Sequence, residues 1–396
     1  MATDITVNGR SYRWMDRPLV VVCVGGCQFE YIAAAIAAGA APFLGRLLAG
    51  AGTCFIADGV MPSLTHPNNL SIVTGVPPSV HGICGNYCFD DDPKQLRVGT
   101  ILAAFSQAGA RVAVITARDK LRKLVGHQMS GVCFSTERAH QATLAGNGIE
   151  NLLGHVGMPV PPVHSAQLSE FSLVAAVKLM ERERPDLMYL CTTDDVQHEA
   201  APGTPAANDF YAMLDRQLAR LDALGVTIVL TADHGMSAKH DADGEPNVIY
   251  LQDALDAWIG KDKARVILPF TDPDVVNHGA LGSFALVYLP EADIPGAARH
   301  LRTLAGIESV LPRAEAAAHF ELPADRIGDL VVVAQLDTVI GGSREHHDLS
   351  ALDVPLRSHG GTSEQKVPLL INRRLRRKSE VRHWRNFDAF DLGLNL

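Results

Sequence analysis

Short apolar runs recurring between stretches of helical periodicity constrain this chain more than any other feature. Residues 19–24, 54–57, 112–115, 187–191 and 226–230 are apolar almost throughout, without the polar alternation of a half-exposed strand. Helical patterns separate them, at residues 30–38, 42–48, 101–108, 169–182 and 206–221. A strand apolar on both faces must be covered on both, and strand–helix alternation supplies the cover. The expectation is an α/β fold: a mostly parallel sheet with helices on both faces. Its functional groups should gather beyond the carboxyl ends of the strands.

The rhythm changes near residue 265. Apolar segments at 280–288, 309–311 and 329–334 alternate there with short helical patterns at 295–305 and 314–318. This predicts an inserted α+β cap domain over 265–347, with residues 1–264 and 348–396 forming the core domain. A chain of 396 residues has room for both at roughly 100–200 residues per domain.

Charge and cysteine content narrow the function. A formal charge of −9 leaves no electrostatic grip on nucleic acid, so an anionic ligand must be held by a local cluster. The basic run at 373–378 reads as a solvated face. The apolar run at 19–24 is far short of the about 20 residues that span a bilayer, and no basic leader precedes it. No membrane partner is expected. Seven widely spread cysteines (23, 27, 54, 84, 88, 133 and 191) read as buried small hydrophobes in a reducing, cytoplasmic compartment. A homodimer is the expected assembly.

The chemistry-bearing residues lie at strand ends. Asp194 and His198 follow the 187–191 run four residues apart, so one helical turn can aim both at one ion. Asp233 and His234 follow the 226–230 run, with Gly235 allowing a sharp turn. His359 precedes Gly360 and Gly361. Two Asp/His pairs at equivalent strand ends plus a third histidine point to a metal centre. Thr65, in Met61-Pro62-Ser63-Leu64-Thr65-His66-Pro67-Asn68-Asn69, precedes a helical stretch, where a hydroxyl can serve as cap or nucleophile and a tetrahedral anion meets free N–H groups. Asn86 offers an amide donor for a phosphoryl oxygen.

These elements, in this order, resemble the alkaline phosphatase superfamily, in particular its phosphonoacetate hydrolase branch. The branch resemblance rests on the stretches at 68–81, 155–160, 201–205, 326–332 and 356–367. It implies hydrolysis of the carbon–phosphorus bond of phosphonoacetate, a small-molecule phosphonate substrate, by a threonine nucleophile and two zinc ions. Asp194, His198 and His359 would hold the first zinc, and Asp233, His234 and Thr65 the second. Asn86 would hold a phosphonate oxygen. Arg118 and Lys120 fall where the family carries two lysines for the substrate carboxylate.

The chain departs from that pattern at Gly25, which stands where the family has an aspartate ligand of the second zinc. His66 and Asp195 replace the usual Asn and Tyr, and Cys27 lies nearby. An aspartate restored at Gly25 is expected to add a ligand, unless one of those three already fills its place. Two other readings stand beside the leading one: a phosphodiesterase or phosphatase on the same scaffold, and a non-catalytic phosphonate-binding relative.

Overall fold

The computed structural model describes residues 3–86, 96–270, 281–350, 352–375 and 382–396. Seven strands form its main sheet, in the order Thr53–Asp58, Lys366–Ile371, Thr227–Thr231, Leu19–Cys23, Leu187–Cys191, Val112–Thr116 and Val132–Ser135. The last five run parallel, and Lys366–Ile371 is antiparallel to both of its neighbours. All five residues of Leu19–Cys23, Leu187–Cys191 and Thr227–Thr231 are buried, as their apolar sequence requires. Burying each Val or Leu side chain contributes about 1.5–3 kcal/mol.

Helices Phe29–Ala37, Ala166–Arg182 and Pro205–Ala223 pack together beside the sheet. Thr65–Thr74 and Ala389–Asn395 pack with each other, the latter also against Leu19–Cys23 and Thr227–Thr231. The Pro205–Ala223 helix starts with Pro at its first turn and the Thr204 hydroxyl accepting from the Ala207 N–H. This mainly parallel, helix-covered sheet is the architecture the apolar rhythm implies.

Several elements lie outside the sequence expectations, Lys366–Ile371 and Ala389–Asn395 among them. An N-terminal hairpin pairs Thr3–Val7 with Arg10–Trp14 through Asn8 and Gly9, both at positive φ, and packs on Ala389–Asn395. Val132–Ser135 supplies the edge strand.

A second, four-stranded antiparallel sheet follows the order Arg265–Ile267, Phe284–Tyr288, Leu330–Ala334, Ile307–Pro312. Its alternating residues serve two cores. Ala285, Val287 and Val332 join Leu251, Leu255 and Leu301, whereas Phe284, Leu286 and Val331 join Phe320 and reach Met61 and Cys84, beside the Thr65 segment. Residue 280 and positions 376–378 of the basic run lie outside the described residues, as does Cys88. The other six cysteines are free, and no single helix among the described residues is long and apolar enough to cross a membrane.

Candidate active site

The carboxyl ends of Leu19–Cys23, Leu187–Cys191 and Thr227–Thr231 lie side by side, Cys23 being in register with both Cys191 and Thr231. The segments that leave them carry Gly25, Asp194 with His198, and Asp233 with His234. His359 arrives from the other direction, just after the two-residue strand Arg357–Ser358, which pairs with Ser237–Ala238.

Each imidazole is held the same way. His198 Nδ1 lies 2.9 Å from the Arg357 carbonyl oxygen, His234 Nδ1 2.8 Å from that of Gly235, and His359 Nδ1 2.7 Å from that of Ser63. A carbonyl only accepts, so each Nδ1 carries the proton and each Nε2 presents a lone pair. The three Nε2 atoms converge on one carboxylate oxygen, Asp194 Oδ2, at 3.3 Å for His198, 3.5 Å for His359 and 3.7 Å for His234. Burial raises the Asp194 carboxyl, but the charge that the histidines carry when protonated, His198 foremost, outweighs it and holds the group below the usual carboxylate range. Burial and neighbouring His234 push His359 well down, which keeps it neutral. The His234 and His359 rings stack almost parallel, 3.5 Å between centroids and 6° between planes.

Thr65 is the first residue of the Thr65–Thr74 helix, with its Oγ1 3.4 Å from His234 Nε2. Two asparagines that sequence reasoning passed over position it. Buried Asn68 donates to the carbonyls of Val60, Pro62 and Leu64 and accepts from the Val60 N–H, pinning the loop that leads into Thr65. Asn386 also donates to Asn68, at 2.8 Å, and to the Ala232 carbonyl. Asn69 donates to the Thr65 carbonyl at 2.8 Å and to Asp233 Oδ2 at 3.1 Å, and takes the Tyr189 hydroxyl at 2.6 Å. Asp233 Oδ1 accepts from the N–H groups of Gly26 and His234. Two adjacent buried amides early in a helix were the available signal, since interior amides need partners.

Asn86 Oδ1 accepts the His66 N–H at 2.8 Å, which leaves its amide nitrogen as the donor. Lys120 Nζ donates to the Asn86 carbonyl at 3.0 Å. Arg118 is committed elsewhere: its Nη2 lies 3.2 Å from Asp195 Oδ1 and 3.0 Å from His164 Nδ1. Neither partner is visible from sequence, because each is brought in from a distant segment. Asp195 thus faces Arg118, and the Cys27 thiol points at the Gln28 carbonyl at 3.6 Å, with burial raising it to about 12. Among the described residues, none of His66, Asp195 and Cys27 joins a three-ligand group.

Two such groups do form: Asp194, His198 and His359, and the wholly buried set Cys23, Cys191 and Asp233. A Cβ at Gly25 would lie 2.8 Å from the Thr193 carbonyl carbon and 3.0 Å from the Asp194 nitrogen, so a side chain there requires that backbone to shift.

Behind the ligands lies a fully buried ion pair. Lys239 Nζ donates to Glu364 Oε1 at 3.1 Å and to the Leu336 carbonyl at 2.7 Å, while Glu364 Oε2 takes the Gly361 N–H at 3.0 Å. It ties the segment after His234 to the turn after His359 and to the end of the second sheet.

The family model for type I phosphodiesterase / nucleotide pyrophosphatase matches residues 19–362. Two crystal structures of phosphonoacetate hydrolase from Sinorhizobium meliloti 1021, in complex with phosphonoformate and with phosphonoacetate, are 53% identical to this chain, cover 100% of it and 99% of theirs, and superpose with a TM-score of 0.96. A phosphonoacetate hydrolase of Penicillium oxalicum is 67% identical over 30 residues, a stretch spanning 42% of that protein's length and 7% of this chain. Murine ectonucleotide pyrophosphatase / phosphodiesterase 5, at 17% identity and a TM-score of 0.64 over 95% of this chain and 94% of its own, shares the fold. The chain belongs to the type I phosphodiesterase / nucleotide pyrophosphatase family of the alkaline phosphatase superfamily.

Proposed function

We propose that this chain hydrolyses the carbon–phosphorus bond of phosphonoacetate, giving acetate and phosphate through a phosphothreonine at Thr65. The observation that carries the reading is the convergence of three backbone-anchored imidazoles and a carboxylate beside a threonine at a helix start. Likeness to a full-length phosphonoacetate hydrolase at 53% identity supports the substrate.

The donor set fits zinc: neutral imidazoles with fixed tautomers and aspartate oxygens are its usual ligands. Parallel rings direct the His234 and His359 lone pairs side by side, which suits two neighbouring ions more than one shared ion. Asp194, His198 and His359 would hold one, and Asp233, His234 and Thr65 the other. Bound zinc would supply Lewis-acid charge and lower the pKa of the Thr65 hydroxyl.

Thr65 Oγ gives up its proton to solvent and attacks phosphorus, and the carbon–phosphorus bond breaks, its electron pair passing to the methylene carbon. That charge delocalises into the adjoining carboxylate before a solvent proton completes acetate. Asn86 donates to a phosphonate oxygen through its amide nitrogen, its Oδ1 being taken by the His66 N–H. Water then attacks phosphorus, releasing phosphate and restoring Thr65. Lys120 and Arg118 hold the substrate carboxylate, with Arg118 shared between substrate and Asp195. The 265–347 segment acts as the cap, and the protein works in the cytoplasm as a homodimer.

Gly25 favours a second reading, a phosphonate-binding relative with little turnover. Phosphate release from phosphonoacetate, measured with and without added zinc, separates the two. Zinc-dependent release supports hydrolysis, whereas tight phosphonoacetate binding without phosphate release overturns it.

A further inference from the structure

Gly25 leaves the second ligand set short of one carboxylate, and the turn that carries Asp194 lies directly against it. The Gly25 N–H donates to Thr192 Oγ1 at 3.0 Å, and a Cβ at Gly25 would lie 2.8–3.0 Å from the backbone of Thr193 and Asp194.

We infer that Asp194 serves both ligand sets at once, its Oδ2 replacing the oxygen that Gly25 does not provide. The inference rests on the two-ion reading above. Two ligands of a tetrahedral zinc with bonds of about 2.0–2.1 Å lie about 3.3 Å apart. Asp194 Oδ2 meets that spacing towards His198 and His359, at 3.3 and 3.5 Å, and comes within a few tenths of it towards His234, at 3.7 Å. Among the described residues no other carboxylate takes this role. Asp233 Oδ1 lies 3.7 Å from His234 Nε2 and pairs with no histidine of the first set, and Asp195 is turned to Arg118. Among the described residues only Asp194 has one oxygen facing histidines of both sets.

A shared ligand has a signature that a one-ion ligand lacks. Removing His198 should release one ion and leave the other in place, whereas removing Asp194 should release both. The full chain is stripped with chelator, loaded with Co2+, dialysed and counted by elemental analysis, with visible absorption and paramagnetic resonance recorded on the same samples. The parent is expected to hold two ions with spin coupling between them, His198→Ala one uncoupled ion, and Asp194→Ala none. Gly25→Ala, whose methyl meets the Thr193 and Asp194 backbone, is expected to weaken both ions together by at least tenfold. Matching circular dichroism and thermal unfolding of metal-free parent and variants shows that each remains folded.

Asp194→Ala retaining one ion as firmly as His198→Ala does would overturn the inference, as would a parent that binds a single ion. The count needs no substrate. A chain that passes it yet releases no phosphate from phosphonoacetate loses the proposed activity and keeps the shared ligand.

Discussion

Acid should unfold this protein partly through one buried histidine that is not among the proposed metal ligands. His81 has no exposed surface; its Nδ1 accepts the Ile83 N–H at 3.1 Å and its Nε2 lies 2.9 Å from Ser71 Oγ. Because Nδ1 is an acceptor, the single ring proton sits on Nε2 and donates to Ser71. A second proton would land on Nδ1, pointing at another N–H. Burial, the largest cause, lowers the pKa to about 3. The unfolded chain takes up this proton near pH 6.5, so the contribution is fully present above that pH and is lost as pH falls towards 3. The slope is about 1.4 kcal/mol per pH unit, a loss of about 2 kcal/mol by pH 5 and about 3 kcal/mol by pH 4. Urea unfolding of parent and His81→Gln at pH 7, 6 and 5, with chelator present to remove linkage to ion binding, measures it. The variant should start less stable, and the gap should narrow by about 2 kcal/mol by pH 5. Parallel curves would refute the assignment of a neutral, acceptor Nδ1.

Thr65→Ala should abolish phosphate release while calorimetry still detects phosphonoformate binding, since Asn86 and the helix start remain; near-parental turnover would make water the nucleophile. Asp195→Asn should lower KM for phosphonoacetate about tenfold and leave a carboxylate-free phosphate monoester unchanged, because Arg118 is freed from a competing charge. Arg118→Ala and Lys120→Ala should raise KM for phosphonoacetate selectively, and equal losses on both substrates would assign the pair to the phosphoryl group. Lys239→Met should cost about 3–5 kcal/mol in urea unfolding by stranding Glu364 without its cation, and a cost below about 1 kcal/mol would show that the pair is solvated.

The sequence was most informative where chemistry is local. Asp194 with His198, and Asp233 with His234, are short-range pairs set at the ends of apolar runs, and they sit at neighbouring strand ends as that reading requires. The strand order was not legible in the same way. Nothing in residues 366–371 announces that they run antiparallel between two distant segments, because an apolar run does not name its partner. The N-terminal hairpin was legible and overlooked: Asn8-Gly9 is a strong turn signal, but its flanking residues are too polar to read as a core strand. Gly25 marks the opposite limit. Its identity marks a departure from the family pattern, and only the folded chain shows that the Thr193 and Asp194 backbone lies against it.

The place of Lys366–Ile371 in the sheet has a consequence for biosynthesis. Among the described residues, Thr53–Asp58, which leads to Thr65, has that strand as its sole neighbour in the main sheet. Asn386, later still, joins Asn68 to the Ala232 carbonyl. A chain still being translated through the second sheet therefore has Thr65 following an unpaired strand and has not yet received His359. Folding from the N-terminus can assemble the parallel strands early, but the two halves of the centre meet only after residues 366–371 have emerged. On the proposed two-ion reading, metal loading would consequently be a late event, and a prematurely terminated product would have no assembled site with which to compete for zinc.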